Sequence, residues 1–351
     1  MTLLLPLPLI VTANAVIGKS WASLATGILA GLTSGATFLF GALIFAGVLG
    51  PPAPGAFVSG FAIAVMVTAA LAAVVASNPV RERVARIVHV DPENPVHTLA
   101  LVLAVILLGL QLAFLTFVDV LAADRSQPPL TVGDLFGQEL PFLIIALAGI
   151  GLWTRRNAIQ SAGRLGVVKP AWWHVTLALA AAGLFFAFGQ AVVLLSQALT
   201  PQVAHNVEVT TQHLFGRLQD PVGIAALALL PAICEEILFR GALQPRLGLV
   251  VTAVLFTSIH TQYSISFDTL AVFLLALGLG LIRKYTNTTT SGVCHAVYNL
   301  TTAIAASISV GAVVLGFAIA AEILLAGLTL YALWSYRRRQ AAREQTVTLN
   351  P

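Results

Sequence analysis

Residues 221–243 read PVGIAALALLPAICEEILFRGAL, an apolar run broken only by two carboxylates and a guanidinium near its end. A run of this length and composition can cross a bilayer as a helix. Charges at the bilayer centre cost about 3 kcal/mol each, so Glu235, Glu236 and Arg240 need either partners or a function there. The stretch therefore predicts a membrane helix that carries a functional site.

The composition of the whole chain agrees with a membrane protein. Of its 351 residues, 58% are hydrophobic and only 9% are charged, and the mean hydropathy is +0.93. Soluble globular proteins have about 25% charged residues, so they are excluded as a class. The net charge of +4 does not indicate a nucleic-acid partner, because the basic residues lie in short loops between apolar runs. We expect membrane lipids as neighbours of this chain instead.

The apolar runs predict an all-α, polytopic transmembrane helix bundle of about 10–11 segments. The expected segments are 3–17, 22–49, 55–77, 97–122, 139–153, 172–198, 221–243, 248–262, 268–282, 289–308 and 312–335. They divide into an N-terminal transmembrane module of unassigned role (1–165), a core that carries the polar motifs (166–336) and a basic tail (337–351).

The loop charges predict the orientation. Basic residues cluster at 81–86, 155–169, 283–284 and 337–343, which the positive-inside rule places in the cytoplasm together with the C-terminus. The intervening loops are expected on the outer side, with the acids Asp124, Asp134, Glu139, Glu208 and Asp220. The expected location is the cell membrane, crossed several times.

The two neighbouring glutamates are predicted to differ. Glu236 and Arg240 are spaced i, i+4 with the acid first, which favours an ion pair on one helix face. Glu235 lies about 100° around the helix and is left without this partner. An unpaired carboxylate in an apolar setting is suited to act as a general base.

Two more polar pairs follow on the next apolar segments. Phe256 and His260 are four residues apart, as are His295 and Asn299, so each pair shares one helix face. A rise of about 1.5 Å per residue places Glu235 and these polar side chains at compatible depths. We expect them to share one chamber. Taken singly, each histidine is as readily explained by hydrogen bonding between helices.

The ordered set Glu-Glu-x-x-x-Arg, Phe-x-x-x-His and His-x-x-x-Asn resembles the CPBP family, the CAAX proteases and bacteriocin-processing enzymes also called ABI or Rce1-like. The resemblance covers about residues 172–310 and implies an intramembrane endopeptidase. By analogy, Glu235 and His260 would activate a water molecule. His295 and Asn299 would stabilise the oxyanion, and Glu236, Arg240 and Phe256 would support the site.

Both a metal-dependent and a metal-free reaction are compatible with these residues. Two histidines and a glutamate can hold a catalytic zinc with one open position. If a divalent cation such as Zn²⁺ is bound, the expected ligands are Glu235, His260 and His295.

The resemblance implies a membrane-embedded or lipid-modified peptide or protein as the substrate. A non-enzymatic alternative also accommodates the buried Glu and His residues. In that alternative the chain is an immunity or scaffold protein, or a transporter that uses the cluster as a proton relay.

Overall fold

The computed structural model describes residues 4–53, 55–307, 323–335 and 338, and within these ranges the chain is helical and has no β-strand. The helices are α1 (Leu7–Ala15), α2 (Ala22–Phe45), α3 (Val58–Ala76), α4 (Asn78–Ala85), α5 (Pro95–Phe117), α6 (Val120–Ser126), α7 (Val132–Gly149), α8 (Ala158–Leu165), α9 (Trp172–Leu199), α10 (Pro201–Phe215), α11 (Pro221–Glu235), α12 (Gln244–Ser258), α13 (Phe267–Tyr285), α14 (Thr288–Ser307) and α15 (Ile323–Ser335).

The predicted all-α membrane bundle is confirmed. Each predicted apolar segment overlaps one of the described helices. In the described part of the chain, six helical runs are long and apolar enough to cross a membrane, namely α2, α3, α5, α7, α9 and the continuous run Pro221–Ser258. The predicted tail and Glu322 lie outside the described residues, apart from Arg338, whose guanidinium carbon is 4.2 Å from the centre of the Trp334 ring.

The run Pro221–Ser258 is interrupted twice. Residues Glu236–Leu243 form a π-helix, whose wider turn often marks a functional site. Gly248 then adopts φ 79° and ψ 172°, a conformation that glycine reaches far more readily than other residues. This glycine therefore separates α11 and the π-helical segment from most of α12, at the boundary that hydropathy predicted.

The helices pack in two groups. Helices α2, α3 and α5 bury small and aliphatic side chains against one another, including Ala30, Ala72 and Val102. Helices α9, α13 and α14 pack through a second set that includes Ala182 and Leu279. Small residues at such contacts let membrane helices approach closely.

The predicted N-terminal module touches the segment that carries the acidic motif. Phe142 of α7 and Phe239 of the π-helical segment have ring centroids 6.1 Å apart. Ala146 of α7 and Leu101 of α5 belong to the same buried cluster as Phe239. The early helices thus form part of the wall around Glu235 and Glu236.

Candidate functional site

A buried ion pair lies at the start of the π-helical segment. Arg240 Nη1 is 3.0 Å from Glu236 Oε1, and both side chains are only 1% exposed, which confirms the predicted pairing. Arg240 Nη2 also donates to the carbonyl oxygen of Ala276 on α13 at 3.4 Å. A buried pair of this kind is costly to break, because the remaining charge has no solvent to stabilise it.

The same carboxylate orients His295 on α14. His295 Nδ1 is 3.2 Å from Glu236 Oε1. The carboxylate held by Arg240 can only accept a hydrogen bond, so the hydrogen belongs to Nδ1. In the neutral ring, Nε2 of His295 then carries a lone pair. Glu236 therefore fixes both the tautomer and the orientation of this imidazole.

Phe256 of α12 lies between the charged pair and both histidines. The Arg240 guanidinium carbon lies 4.1 Å from the centre of its ring. The His260 ring is 4.7 Å away and the His295 ring 6.0 Å away, measured between centroids. A cation over an aromatic face is attracted to it, so Phe256 joins the ion pair to the two imidazoles.

His260 is positioned by the end of α12. Its Nδ1 donates to the carbonyl oxygen of Phe256 at 2.8 Å, since a carbonyl cannot donate. Its ring also stacks parallel to Tyr263, with centroids 6.4 Å apart and planes 6° apart. The neutral His260 ring therefore presents an unprotonated Nε2 as a potential proton acceptor.

Asn299 closes a gap in the hydrogen bonding of α11. Pro231 lies inside that helix and has no N–H to donate to the Leu227 carbonyl four residues earlier. Asn299 Nδ2 donates to this carbonyl instead, at 3.3 Å. An amide nitrogen carries two hydrogens, so one of them is still available to another acceptor.

Three of the four predicted catalytic side chains share one cavity. It has a volume of about 80 Å³, and its polar lining consists of His260, His295, Asn299, Tyr263 and Tyr298. The rest of its wall is aromatic and aliphatic. This volume accommodates several water molecules, and the polar lining supplies hydrogen-bond partners for them. The two tyrosines were not singled out from the sequence.

Glu235 is buried beside this cavity but does not line it. Its side chain is 4% exposed, and its Oε2 has no hydrogen-bond partner among the described residues. The charges that act on it are those of Glu139, Arg240 and Glu236. It also acts on the phenol of Tyr263, which does line the cavity. The structure thus brings His260, His295 and Asn299 together and holds Glu235 behind that group.

Glu139 is the charged residue that the sequence analysis misplaced. It was expected in an outer loop, but α7 begins at Val132 and places Glu139 inside the bundle at 7% exposure. Its Oε2 has no hydrogen-bond partner in the described structure. The helix begins early because Thr131 and Asp134 form a capping box, whose Thr-x-x-Asp pattern was readable in the sequence.

The described residues do not form a metal-binding group. No set of three or more His, Cys, Asp or Glu side chains in this part of the chain is placed to hold an ion. The three expected ligands differ in their surroundings, because His295 is hydrogen-bonded to Glu236 while the largest charge acting on Glu235 is that of Glu139. The donor set of Glu235, His260 and His295 therefore does not fit a metal site as it is arranged here.

A protein-family comparison bears on the same segment. Residues 217–301 match the family model described as type II CAAX prenyl endopeptidase Rce1-like. This part of the chain is Rce1-like. All three sequence motifs fall within the matched residues, so the resemblance inferred from them is confirmed.

The family match supports peptidase activity and a membrane setting at the level of the family. The family match covers residues 217–301 only, so it gives no function to the membrane helices that precede them. No curated protein and no solved structure matches the chain.

Proposed function

We propose that this protein is an intramembrane endopeptidase that hydrolyses a peptide bond in a membrane-embedded or lipid-modified substrate. The observation that carries the proposal is the cavity shared by His260, His295 and Asn299 inside a helix bundle whose matching segment is Rce1-like. A polar cavity with positioned imidazoles and an amide can admit both water and a peptide carbonyl.

The attacking water would be activated by His260 and Glu235. His260 Nε2 is free to accept a hydrogen bond from a water in the cavity, because Nδ1 is already used. Glu235 would take the water proton and later deliver it to the leaving nitrogen. Catalytic hydrogen bonds often tighten only when substrate binds, so we expect the Glu235 carboxylate to turn toward the cavity in the complex.

The tetrahedral intermediate would be stabilised by His295 and Asn299. The second amide hydrogen of Asn299 is available for the oxyanion. His295 can donate from Nε2 only as the imidazolium, since its Nδ1 hydrogen is directed to Glu236. Donors fixed before charge develops lower the barrier most effectively.

The remaining assignments follow from the fold. Glu236 and Arg240 would support the histidines from outside the cavity, and Phe256, which lines it, would hold both imidazoles in place. We propose a cell-membrane location with several spans and a cytoplasmic C-terminus, based on the basic loops. Residues 1–165 would form an added membrane module and residues 166–336 the catalytic core.

A proton relay is the second candidate function, and the buried acids favour it. Glu139 and Glu235 lie inside the membrane bundle, each with an oxygen that lacks a hydrogen-bond partner among the described residues. Intramembrane acids of this kind also occur along proton pathways in transporters. A relay would give pH-dependent flux without any peptide product.

The deciding experiment compares Glu235→Gln with the wild-type protein. Membrane peptides from cells that express each form would be compared by mass spectrometry. We expect the cleavage rate to fall by about 10²–10⁴-fold when the general base is removed. Glu82→Gln is the matched control, because Glu82 is exposed on the short helix α4.

The Glu235→Gln protein should remain folded, which thermal unfolding in detergent would check. Full cleavage by a folded Glu235→Gln variant would overturn the proposed mechanism. Absence of any cleavage product from the wild type, together with pH-dependent flux in proteoliposomes, would favour the relay.

A further inference from the structure

Four arginines from separate elements interact electrostatically, and two of them contact the π-helical segment. They are Arg156 in the loop after α7, Arg164 on α8, Arg246 on α12 and Arg283 on α13, and we call them the arginine cluster. Burial, and after it the positive charges of the other three, together lower the pKa of Arg164 to about 10. The positive charges of the other three arginines therefore repel that of Arg164.

The cluster has no acidic partner in the described part of the chain. No carboxylate there lies within ion-pair distance of these arginines. Arg246 Nε is buried and has no hydrogen-bond partner among the described residues. The cluster therefore keeps an unbalanced positive charge and at least one unsatisfied donor.

The arginines also hold the backbone next to the candidate site. Arg164 Nη1 donates to the Gly241 carbonyl and Arg283 Nε donates to the Arg240 carbonyl, each at 3.2 Å. Both carbonyls belong to the π-helical segment that carries Glu236. An anion bound between the arginines would offset their mutual repulsion and stabilise these contacts.

The surroundings of the cluster indicate a membrane interface. The cluster lies near the end of α7 and the start of α12, where helices of the bundle leave their apolar stretches. Trp153 and Ile159 flank Arg156 in sequence and are 86% and 85% exposed. Exposed tryptophan beside arginine is typical of the headgroup level of a bilayer.

We propose that the arginine cluster is a binding site for the phosphate of an anionic phospholipid head group. Guanidinium groups bind phosphate oxygens through paired N–H donors. Several arginines around one phosphate can therefore bind it at a defined position, which a general attraction between basic loops and the membrane does not. The exposed Trp153 and Ile159 side chains would contact the acyl chains nearest that head group. This proposal does not depend on the peptidase function.

The simpler explanation is a diffuse attraction between all basic loops and an anionic membrane. A matched control separates the two. Arg83 and Arg86 on and next to α4 are exposed, and the sequence predicts them on the same membrane face. The double variants Arg164→Gln/Arg246→Gln and Arg83→Gln/Arg86→Gln each remove two positive charges, but only the first alters the cluster.

The experiment uses the purified full-length protein and native mass spectrometry with dioleoylphosphatidylglycerol or dioleoylphosphatidylcholine added. We expect the wild type to retain phosphatidylglycerol preferentially. Each basic residue contributes about 1 kcal/mol to binding, so loss of two arginines from the cluster should weaken the affinity for phosphatidylglycerol by about 30-fold. The Arg83→Gln/Arg86→Gln variant should bind within about twofold of the wild type, because its side chains lie outside the cluster.

Two further arms keep the test decisive. The Arg164→Lys/Arg246→Lys variant keeps the charge but loses the paired donors, so it should bind more weakly than the wild type even if the glutamine variant does not fold. Inorganic phosphate added in excess should not displace the lipid. Equal losses in both glutamine variants, unchanged binding by the lysine variant, or displacement by phosphate would each overturn the proposal.

Discussion

Glu235 and Glu236 are consecutive residues with opposite surroundings. Glu236 shares one oxygen with Arg240 and His295, and we call these three residues the paired network. The largest charge acting on Glu235 is that of Glu139 on α7, which packs against α11, and we call these two residues the acidic contact. Both carboxylates are almost fully buried, so burial alone does not explain the difference.

The comparison shows two uses of charge within a membrane. In the paired network, Arg240 neutralises the Glu236 carboxylate, and the same carboxylate holds His295 in one orientation. The acidic contact leaves two carboxylates without a neutralising neighbour of their own. Buried carboxylates that repel each other favour a state in which one of them holds a proton, which is compatible with the proton transfer proposed for Glu235. In the proposed mechanism, stability would thus depend on Glu236 and proton transfer on its neighbour Glu235.

The largest expected effect comes from breaking the paired network. Arg240→Met leaves Glu236 as an uncompensated buried charge and should lower the free energy of unfolding by about 3–5 kcal/mol. The measurement is an equilibrium unfolding titration in detergent micelles. The variant removes a positive charge that the acidic contact also feels, but its main consequence is at Glu236.

The control for this prediction removes both charges. Glu236→Leu/Arg240→Met replaces the pair with apolar side chains and should be about 2 kcal/mol more stable than Arg240→Met alone. If the double variant is as unstable as the single one, the cost does not arise from an unpaired charge. The paired network would then be a packing feature only.

A smaller effect is expected when Phe256 loses its ring. Phe256→Leu should cost about 2–3 kcal/mol of unfolding free energy, which combines the change of shape with the lost contact to Arg240. It should also lower the cleavage rate by about tenfold or more, because both imidazoles rest against this ring. Unfolding titrations and rates of peptide cleavage measure the two effects.

Phe239→Leu is the matched control. Phe239 is fully buried and packs on Phe256 with centroids 5.2 Å apart, yet no contact joins it to either histidine in the described structure. We expect about 1–2 kcal/mol of destabilisation with little change in rate. Equal losses of rate in both variants would show that Phe256 does not position the histidines.

Asn299 has two proposed roles, support of α11 and stabilisation of the oxyanion, and substitutions can test them separately. Asn299→Ala leaves the Leu227 carbonyl unsatisfied and should cost about 1–3 kcal/mol of unfolding free energy. Pro231→Ala supplies the missing backbone N–H, so the cost of Asn299→Ala should fall in that background. Stability would be measured for all four combinations of the two substitutions.

The cleavage rate should behave differently in the same set of variants. Removal of one oxyanion donor lowers the rate by about 10²–10³-fold, and Pro231→Ala cannot replace that donor. We therefore expect the rate to stay low where stability recovers. A rate that recovers with stability would assign Asn299 to the support of α11 alone.

Much of this arrangement was readable from spacing along the chain. The i, i+4 rule predicted the Glu236–Arg240 pair, and helix geometry predicted that His260, His295 and Asn299 would meet. The first prediction depends on periodicity within one helix and the second on compatible depths along neighbouring helices. The same depths also placed Glu235 in the chamber, and that part was wrong, because Glu235 does not line the cavity. Hydropathy likewise identified the helices, since a bilayer requires long apolar segments.

Contacts between distant helices were not readable in this way. The bond from Asn299 to Leu227 depends on how α14 lies against α11, which no local pattern specifies. Glu139 was missed for a different reason. By hydropathy the apolar segment begins at Glu139. The capping box at Thr131 starts the helix about two turns earlier. Most of the first half of α7 is exposed, but Leu135 and Glu139 are buried because their side of the helix faces other helices.

The smallest expected effect tests the comparison most directly. Glu139→Gln removes one of two neighbouring buried carboxylates while keeping the size of the side chain. We expect the protein to become about 1 kcal/mol more stable, because a neutral amide relieves the repulsion with Glu235 and costs less to bury. The same replacement at Glu236 should destabilise the protein, since it breaks the ion pair with Arg240. Unfolding titrations of the two variants should thus give changes of opposite sign. If Glu139→Gln also destabilises, Glu139 must hold a partner charge in the folded protein, and the acidic contact would be a second paired network.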